Sequence, residues 1–410
     1  MKIEESREKS RPRPHVDGVD ATRRRLVAAG SLAGAGTALG GFPAIVRAAE
    51  PLRLGLLLPF SGGLELFGQQ GEQGVRLAVE EVNAAGGVLG RKIEIVKADD
   101  KTDPKTAVER AGQLIRRDKV AAIVGPVTSA NRDAIKSTIE RGKTPLLYAT
   151  DYEGGVCSPY IACYSALPAH YVDPLIPWLA KAAGAQTGFY LFGADYVWPQ
   201  KMNAAIKAAV TRSNGKVVGE EYTPFGAKDF APTLRKIADS GAKVLVLTLP
   251  GADGVTFVKQ FVAAGMKEKV RIAFMGFNEN YLPGFSGTEA DGIVTCSHFI
   301  STLDRPEAKD FVARQRKRFG ENATVSYYVD AHYGITRFYL DAVQKAKSAK
   351  AEDAMKAIVG QTITVGNGPV TMRADDRHVD LNMLISEARG GQLRMLEYIG
   401  KVVAPNQCAK

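Results

Sequence analysis

Three hydroxyl-bearing residues, Ser129, Tyr148 and Thr150, lie close to the ends of two short apolar runs. These runs, residues 120–124 and 145–148, are typical of strands in a parallel sheet that is covered on both faces. Since ligands of such sheets bind beyond the carboxyl ends of the strands, the three residues predict a polar crevice. Ser129 occupies the expected N-cap of the intervening helix, where its hydroxyl and the free N–H groups behind it suit a carbonyl or carboxylate oxygen. The alternative is that Ser129 only caps its helix and the tyrosine only packs.

Catalytic patterns are absent from the sequence. The five histidines are dispersed, and neither His-Glu-x-x-His nor Gly-x-Ser-x-Gly occurs. The glycine-rich run at 34–40 imitates a phosphate loop but falls in the leader segment. We therefore predict a protein with no catalytic residue and no cofactor, and we keep an exported hydrolase as an alternative.

Four cysteines, Cys157, Cys163, Cys296 and Cys408, follow the leader. An even number of cysteines in an exported protein predicts disulfides. Residues 156–164 read as one local loop, which favours a bond between Cys157 and Cys163 and leaves Cys296 to pair with Cys408. No Cys-x-x-Cys pair is present, so we predict no metal site.

The charge balance argues against nucleic-acid binding. The chain of 410 residues carries a formal charge of +10, and without residues 1–48, which hold nine basic and five acidic residues, 45 basic and 39 acidic residues leave +6. This excess is spread along the chain without a basic block. The length allows two domains, and 45% hydrophobic residues suffice for a sizeable core.

Residues 1–48 have the parts of an export signal. Three arginines at 23–25 precede an uncharged run rich in glycine and alanine, and small residues follow at 48–49. Paired arginines before a weakly apolar stretch are typical of a twin-arginine signal. An uncleaved anchor is the alternative, but the glycines and Pro43 make the run a poor membrane span. We predict export to the periplasm.

From residue 51 the sequence alternates short apolar strands with amphipathic helices, which predicts βαβ units around parallel sheets. The alternation is interrupted at 156–177, where four prolines occur, and then restarts. Two successive α/β units of similar size predict two lobes with a cleft between them. Residues 368–403 look rich in strands.

Several motifs resemble those of the type I periplasmic binding proteins of branched-chain amino acid importers. They are Pro-Phe-Ser-Gly at 59–62, Asn-Ala-Ala-Gly-Gly-Val-Leu-Gly-Arg at 83–91, Val-Gly-Pro at 124–126 and Phe-Met-Gly at 274–276. The resemblance implies an α/β fold of two doubly wound, Rossmann-like lobes joined by three hinge strands. Lobe 1 would comprise residues 51–167 plus 299–373, and lobe 2 residues 168–298 plus 374–404.

Within that family, the segments around 148–154, 194–199 and 368–370 are most similar to the binders of short-chain amides and urea. The resemblance implies first-lobe polar contacts from Ser129, Tyr148 and Thr150. It also implies an aromatic wall at Phe67 and second-lobe contacts from Tyr196 and Trp198.

Two positions depart from the family pattern. Amide binders usually have proline after the threonine, where this chain has Asp151, and a carboxylate there would favour a ligand with positive charge. Amino acid binders place an acid after Phe-Met-Gly-x to hold the ammonium. This chain has Asn278 there, which weakens the amino acid interpretation, although the neighbouring Glu279 could substitute.

The sequence therefore predicts a monomeric extracytoplasmic protein that captures an amide, urea or small amino acid between its lobes. It would deliver this small polar ligand to an ABC permease at the inner membrane. A sensor that responds to amides is an alternative function to transport. The export signal argues against this alternative.

Overall fold

The protein is described by a computed structural model that covers residues 50–184 and 186–409. The predicted export signal, residues 1–48, lies outside the described residues. No helix in the described ranges is long and apolar enough to cross a membrane. The same residues contain no group of three or more histidine, cysteine and acidic side chains that could hold a metal ion.

A first sheet of five parallel strands has the order β2-β1-β3-β4-β5. Its elements, in chain order, are β1 (Leu52–Leu58), α1 (Glu65–Ala84), β2 (Ile93–Asp99), α2 (Pro104–Arg116), β3 (Ala122–Val124), α3 (Ser129–Gly142), β4 (Leu146–Tyr148) and β5 (Ile161–Cys163).

The chain then enters a second sheet. The next elements are α4 (Pro168–Ala183), β6 (Gly188–Ala194), α5 (Val197–Arg212), β7 (Lys216–Thr223), α6 (Ala231–Asp239), β8 (Val244–Thr248), α7 (Ala252–Ala263), β9 (Arg271–Phe274), a 3-10 turn (Leu282–Gly284) and β10 (Val294–Ser297).

The last part of the chain contributes helices to the first sheet and strands to the second. Its elements are α8 (Pro306–Phe319), α9 (Tyr327–Ala346), α10 (Ala351–Ala357), β11 (Thr362–Val365), β12 (Gly368–Thr371), β13 (Leu381–Arg389) and β14 (Gln392–Val402). Helix α9 packs on α1, whereas β13 and β14 complete a seven-stranded sheet of order β14-β13-β10-β9-β8-β6-β7. Strands β11 and β12 form a separate hairpin.

Both sheets are doubly wound, as the sequence predicts. Strand β1 lies between β2 and β3, and β6 lies between β7 and β8, so each sheet has a point where the strand order reverses. Strand β1 has leucine at five of its seven positions and is almost wholly buried because helices cover both faces of the sheet. We call the five-stranded sheet with α1–α3 and α8–α10 the first lobe, and the seven-stranded sheet with α4–α7 the second lobe.

The prediction that the alternation of strands and helices is interrupted at residues 156–177 is wrong in part. Strand β5 and helix α4 lie in this stretch, and α4 continues through Pro174 and Pro177. Pro174 lacks the N–H that would bond the His170 carbonyl, and this carbonyl instead accepts the S–H of Cys296 at 3.8 Å. Burial of the apolar face of α4 outweighs the cost of the two prolines.

Both predicted disulfides are wrong. Cys157 bonds to Cys408, while Cys163 and Cys296 are free and buried. Cys163 belongs to β5, where its N–H donates to the Arg377 carbonyl at 2.8 Å, so residues 156–164 are not the single loop that the local spacing indicated. Cys296 is held in the core by its contact with α4.

Candidate functional site

A cavity of about 50 Å³ lies where the carboxyl ends of the two sheets face each other. Its walls come from the segments that follow β1, β3, β4, β6, β8 and β9, and from the start of α9. Strands β1 and β3 flank the reversal of strand order in the first sheet, and β6 and β8 flank the one in the second, which is where ligands of doubly wound sheets bind. The lining residues are Leu64, Phe67, Val127, Thr128, Ser129, Thr150, Asp151, Tyr196, Trp198, Pro250, Met275, Gly276, Tyr281, Tyr327 and Tyr328.

Six aromatic rings form most of the apolar wall of this cleft. Phe67 on α1 meets Tyr328 edge to face, with ring centroids 5.3 Å apart, and meets Tyr281 of the second lobe at 6.2 Å. Tyr196 and Trp198 stack at 6.4 Å on the opposite side. Such rings suit a planar group or an aliphatic side chain.

Two helices begin at the cleft. The N-cap of α3 is Thr128, whose hydroxyl accepts the Asn131 N–H at 3.1 Å, so the prediction that Ser129 is the N-cap is wrong by one residue. Helix α5 begins after Tyr196, which makes no side-chain cap. The first N–H groups of a helix have no partner within the helix, so each helix directs donors and a partial positive charge at the cleft.

The Ser129 hydroxyl is already engaged. It donates to Oε2 of Glu153 at 2.7 Å, and the Arg132 guanidinium bonds Oε1 of the same carboxylate at 3.0 Å. Both charged side chains are 3% exposed. Burial disfavours the charged form of the Arg132 guanidinium, but the negative charge of Glu153 and the other neighbours of Arg132 outweighs this effect. The pKa of Arg132 is therefore raised above its usual value. The pair is therefore internally neutralised, and no cationic side chain lines the cleft among the described residues.

Thr150 and Asp151 supply polar groups from the loop after β4. The Thr150 hydroxyl shares a hydrogen bond of 2.9 Å with that of Tyr328. One oxygen of the half-buried Asp151 carboxylate accepts the Ala166 N–H at 3.0 Å. Burial raises the pKa of Asp151, although His298 and the hydrogen bond from Ala166 oppose this shift. Asp151 is the only acidic residue that lines the cavity in the described ranges.

Two predicted site residues do not line the cavity. Tyr148 is fully buried behind it, and its hydroxyl donates to the Val127 carbonyl at 3.1 Å, which supports the cleft loop. Asn278 is also fully buried and accepts the Asn280 N–H at 2.9 Å within its own turn. Glu279 cannot substitute for the missing acid, because it lines a different cavity and accepts the Ser301 N–H at 2.6 Å.

Seven aromatic or apolar side chains in the lining are not among the predicted site residues: Leu64, Val127, Pro250, Met275, Tyr281, Tyr327 and Tyr328. Tyr327 and Tyr328 are adjacent in the sequence, but their position beside the cleft depends on α9 packing against α1. Tyr327 also joins the two lobes, since its hydroxyl donates to the Gly276 carbonyl at 3.3 Å. Together with the contact of Phe67 with Tyr281, this bond shows that the lobes touch across the cleft.

Comparison with known proteins identifies the family. Residues 51–392 match the profile of the family described as "Periplasmic binding protein". The Leu/Ile/Val-binding protein homolog 6 of Brucella melitensis biotype 1 is 27% identical over 348 residues, which cover 83% of this chain and 88% of the relative. Homolog 7 of Brucella abortus strain 2308 is 25% identical, covering 78% and 83%.

Solved structures show the same architecture. A solute-binding protein of an R. palustris ABC transporter, in complex with 4-hydroxybenzoate, is 26% identical with a TM-score of 0.77 and covers 86% of this chain and 96% of its own. One from Rhodopseudomonas palustris HaA2, in complex with p-hydroxybenzoic acid, is 25% identical with a TM-score of 0.78, covering 87% and 98%. The leucine-binding protein of Thermotoga maritima, at 20% identity and a TM-score of 0.75, covers 85% and 99% and shares the fold. The chain belongs to the periplasmic binding protein family and has the type I fold of the substrate-binding proteins of ABC transporters.

Proposed function

We propose that this protein captures a short amide, urea or a small amino acid in the central cleft and delivers it to an ABC permease. The observation that carries this proposal is the polarity of the cleft. Helices α3 and α5 direct N–H donors at it from opposite lobes, and Asp151 adds one carboxylate. A ligand with an oxygen acceptor at one end and an N–H donor at the other end matches these groups.

The size of the cavity supports a small ligand. Pockets for drug-sized ligands measure about 300 to 1,000 Å³. The central cleft offers about 50 Å³ in this conformation. A larger ligand would require the lobes to separate.

The charge of the cleft supports a ligand that is neutral or zwitterionic. Asp151 favours a cationic or N–H group, and because Arg132 is paired with Glu153, no side-chain cation among the described residues lines the cleft to balance a bare anion. The amide nitrogen or the ammonium group would then meet Asp151, while the carbonyl or carboxylate oxygen would meet the start of α3.

A hydroxylated aromatic acid is the second candidate. Six aromatic rings surround the cleft, and two solved relatives of at least 25% identity hold 4-hydroxybenzoate or p-hydroxybenzoic acid. In this chain the hydroxyl of such a ligand would donate to Asp151. The small cavity favours the first candidate, because a ring would require a wider cleft.

Capture follows from contacts with both lobes. A ligand held by Asp151 of the first lobe and Tyr196 of the second binds the closed conformation more tightly than the open one, so that binding shifts the population towards closure. We propose that the hinge crosses near 167/168, 298/299 and 373/374. We also propose that the protein itself is exported by the twin-arginine route and that it is a monomer in solution.

A thermal-shift screen tests the ligand class. The purified protein is heated with acetamide, propionamide, urea, L-alanine, L-leucine, 4-hydroxybenzoate or glucose. A ligand present at about 100 times its dissociation constant stabilises the fold by about 2.7 kcal/mol. We expect a rise in melting temperature with an amide, urea or amino acid. A rise with 4-hydroxybenzoate alone would favour the second candidate, and a rise with glucose alone would contradict both.

The variant Asp151→Asn provides the matched control for this screen. Its amide oxygen still accepts the Ala166 N–H, but the negative charge is lost. The shift caused by an amino acid should therefore fall more than the shift caused by a neutral amide. Incubation of each compound with the protein, followed by product analysis, tests the hydrolase alternative, for which turnover would be required.

A further inference from the structure

The C-terminal segment, residues 403–409, returns from the second lobe to the first. Strand β14 ends at Val402 on the edge of the seven-stranded sheet, and six residues later Cys408 is bonded to Cys157, at the end of the loop that follows β4 in the first lobe. We call residues 403–409 the tail and residues 150–157 the cleft loop. The cleft loop supplies Thr150 and Asp151 to the cavity and Glu153 to the pair with Arg132.

Hydrogen bonds tie the tail to the cleft loop beside the disulfide. The Gly155 N–H donates to Oε1 of Gln407 at 2.7 Å. Gly154 has a φ of +91°, and a Cβ at this position would lie 2.7 Å from the same Gln407 oxygen. The glycines thus allow the tail to lie directly against the backbone of the cleft loop.

The other side of the tail is anchored to the segment that crosses between the lobes before β13. Asp376 is 2% exposed, and its Oδ2 accepts the Gln407 N–H at 2.9 Å while Oδ1 accepts the His378 N–H at 3.1 Å. Arg373 bonds the carboxylate of Asp376 and the carbonyl of Ala404. Asp376 is therefore a buried hub that fixes the position of Gln407.

The crossing segment also contacts the cleft loop directly. The Tyr152 hydroxyl and Nε2 of His378 are 2.6 Å apart, and the Tyr152 N–H donates to the Ala166 carbonyl at 3.1 Å. The cleft loop is consequently held on one side by Ala166, which also donates to Asp151, and on the other by the tail and His378. Without the tail, the second of these supports would depend on the Tyr152 contact alone.

We propose that the tail is a covalent brace that positions the cleft loop, with Gln407 and Cys408 as positioning residues for Asp151 and Glu153. The brace joins the last strand of the second lobe to the ligand-facing loop of the first. It adds a fourth connection between the lobes to the three crossings of the chain. None of its residues lines the cavity, so it acts on the cleft through the cleft loop.

Hydrogen exchange of the folded full-length chain, measured by mass spectrometry, tests this proposal without a ligand. In Cys408→Ser, amides of residues 150–157 should exchange at least fivefold faster than in the wild-type protein, since the loop opens locally when its support is lost. Strands β1 and β8 should be unchanged. Treating the wild-type protein with dithiothreitol, which reduces the disulfide to two thiols, should reproduce the effect without a substitution.

Two substitutions of Gln407 separate positioning from general stability. Gln407→Ala removes the acceptor of the Gly155 N–H and should speed exchange in residues 150–157, whereas Gln407→Glu keeps an acceptor oxygen and should restore slow exchange. The exposed Lys401→Gln, close in sequence but outside the brace, serves as the control. Faster exchange confined to residues 403–409, or equal acceleration in both sheets, would overturn the proposal.

Discussion

At the scale of single residues, two acids illustrate how position decides the role of a carboxylate. Asp151 meets the cleft, whereas Glu279, three residues after the Phe-Met-Gly motif, lines a separate cavity and is 6% exposed. One of its oxygens accepts the Ser301 N–H, and the other has no partner among the described residues. Burial raises the pKa of Glu279 to about 7.

This raised pKa predicts a pH-dependent cost to stability. The unfolded carboxyl ionises near pH 4.5 and the folded one near 7, so the cost is absent below 4.5 and complete above 7. Glu279→Gln, which keeps an acceptor for Ser301, should raise the free energy of unfolding by about 2 to 3 kcal/mol at pH 8. At pH 4 it should change little. Urea unfolding at the two pH values measures this difference.

The exposed Glu321→Gln, in the wall of the same cavity, is the control for this experiment. It should leave the free energy of unfolding unchanged at both pH values. An equal effect of Glu279→Gln at pH 4 and pH 8 would show that the carboxyl is not destabilised by ionisation.

At the scale of elements, the packing of α1 on α9 places Phe67 and Tyr328 at the cleft. Gly74 on α1 makes this packing close, because a Cβ there would lie 2.4 Å from the Val329 carbonyl oxygen and 2.9 Å from the Tyr333 nitrogen. These are backbone atoms that cannot move aside without shifting α9. The glycine therefore sets the distance between the two helices.

Gly74→Ala should lower the free energy of unfolding by about 1 to 3 kcal/mol, since overpacking outweighs the better helix propensity of alanine. Gly112→Ala on α2 is the matched control, because its Cβ would meet only the flexible end of Arg116. That change should be neutral or stabilising by up to about 1 kcal/mol. Equal effects of the two substitutions, measured by urea unfolding, would contradict the close contact.

Elements with strong periodicity could be predicted from the sequence, and elements decided by distant contacts could not. The predicted alternation of strands and helices is confirmed, because a strand such as β1 has leucine at five of its seven positions and a helix such as α8 buries Ala308, Phe311 and Val312 on one face, which are local signals. Helix α4 was missed because burial of its apolar face outweighs its prolines, which no local pattern records. The roles of Tyr327 and Tyr328 could not be predicted either, because they depend on α9 packing against α1.

At the scale of the whole molecule, the disulfide shows the same limit. Cys157 and Cys408 are separated by 251 residues, and the chain after β14 is held near Cys157 by the bonds of Arg373 to the Ala404 carbonyl and of the Gln407 N–H to Asp376. Spacing along the chain favoured the nearer Cys163, which the fold places in a buried strand. The two-lobed architecture, by contrast, could be predicted because each α/β unit repeats a local pattern.

Thiol titration of the unfolded protein tests the pairing. In denaturant without a reductant, two thiols per chain should react, those of Cys163 and Cys296, and four should react after reduction. Cys408→Ser should give three reactive thiols without a reductant. If no thiol reacts in the unreduced wild-type protein, Cys163 and Cys296 are not free, and if Cys408→Ser leaves the number of reactive thiols at two, Cys408 is not in the disulfide.

We propose that one ligand is held by groups from both lobes. Calorimetric titration of the tightest-binding compound from the thermal-shift screen measures this in two variants. Asp151→Asn, in the first lobe, should weaken binding more than tenfold through loss of a charged hydrogen bond, and Tyr196→Phe, in the second, about fivefold through loss of a hydroxyl. If either variant binds with wild-type affinity, that side chain does not contact the ligand. This result would contradict the proposal that both lobes hold the ligand.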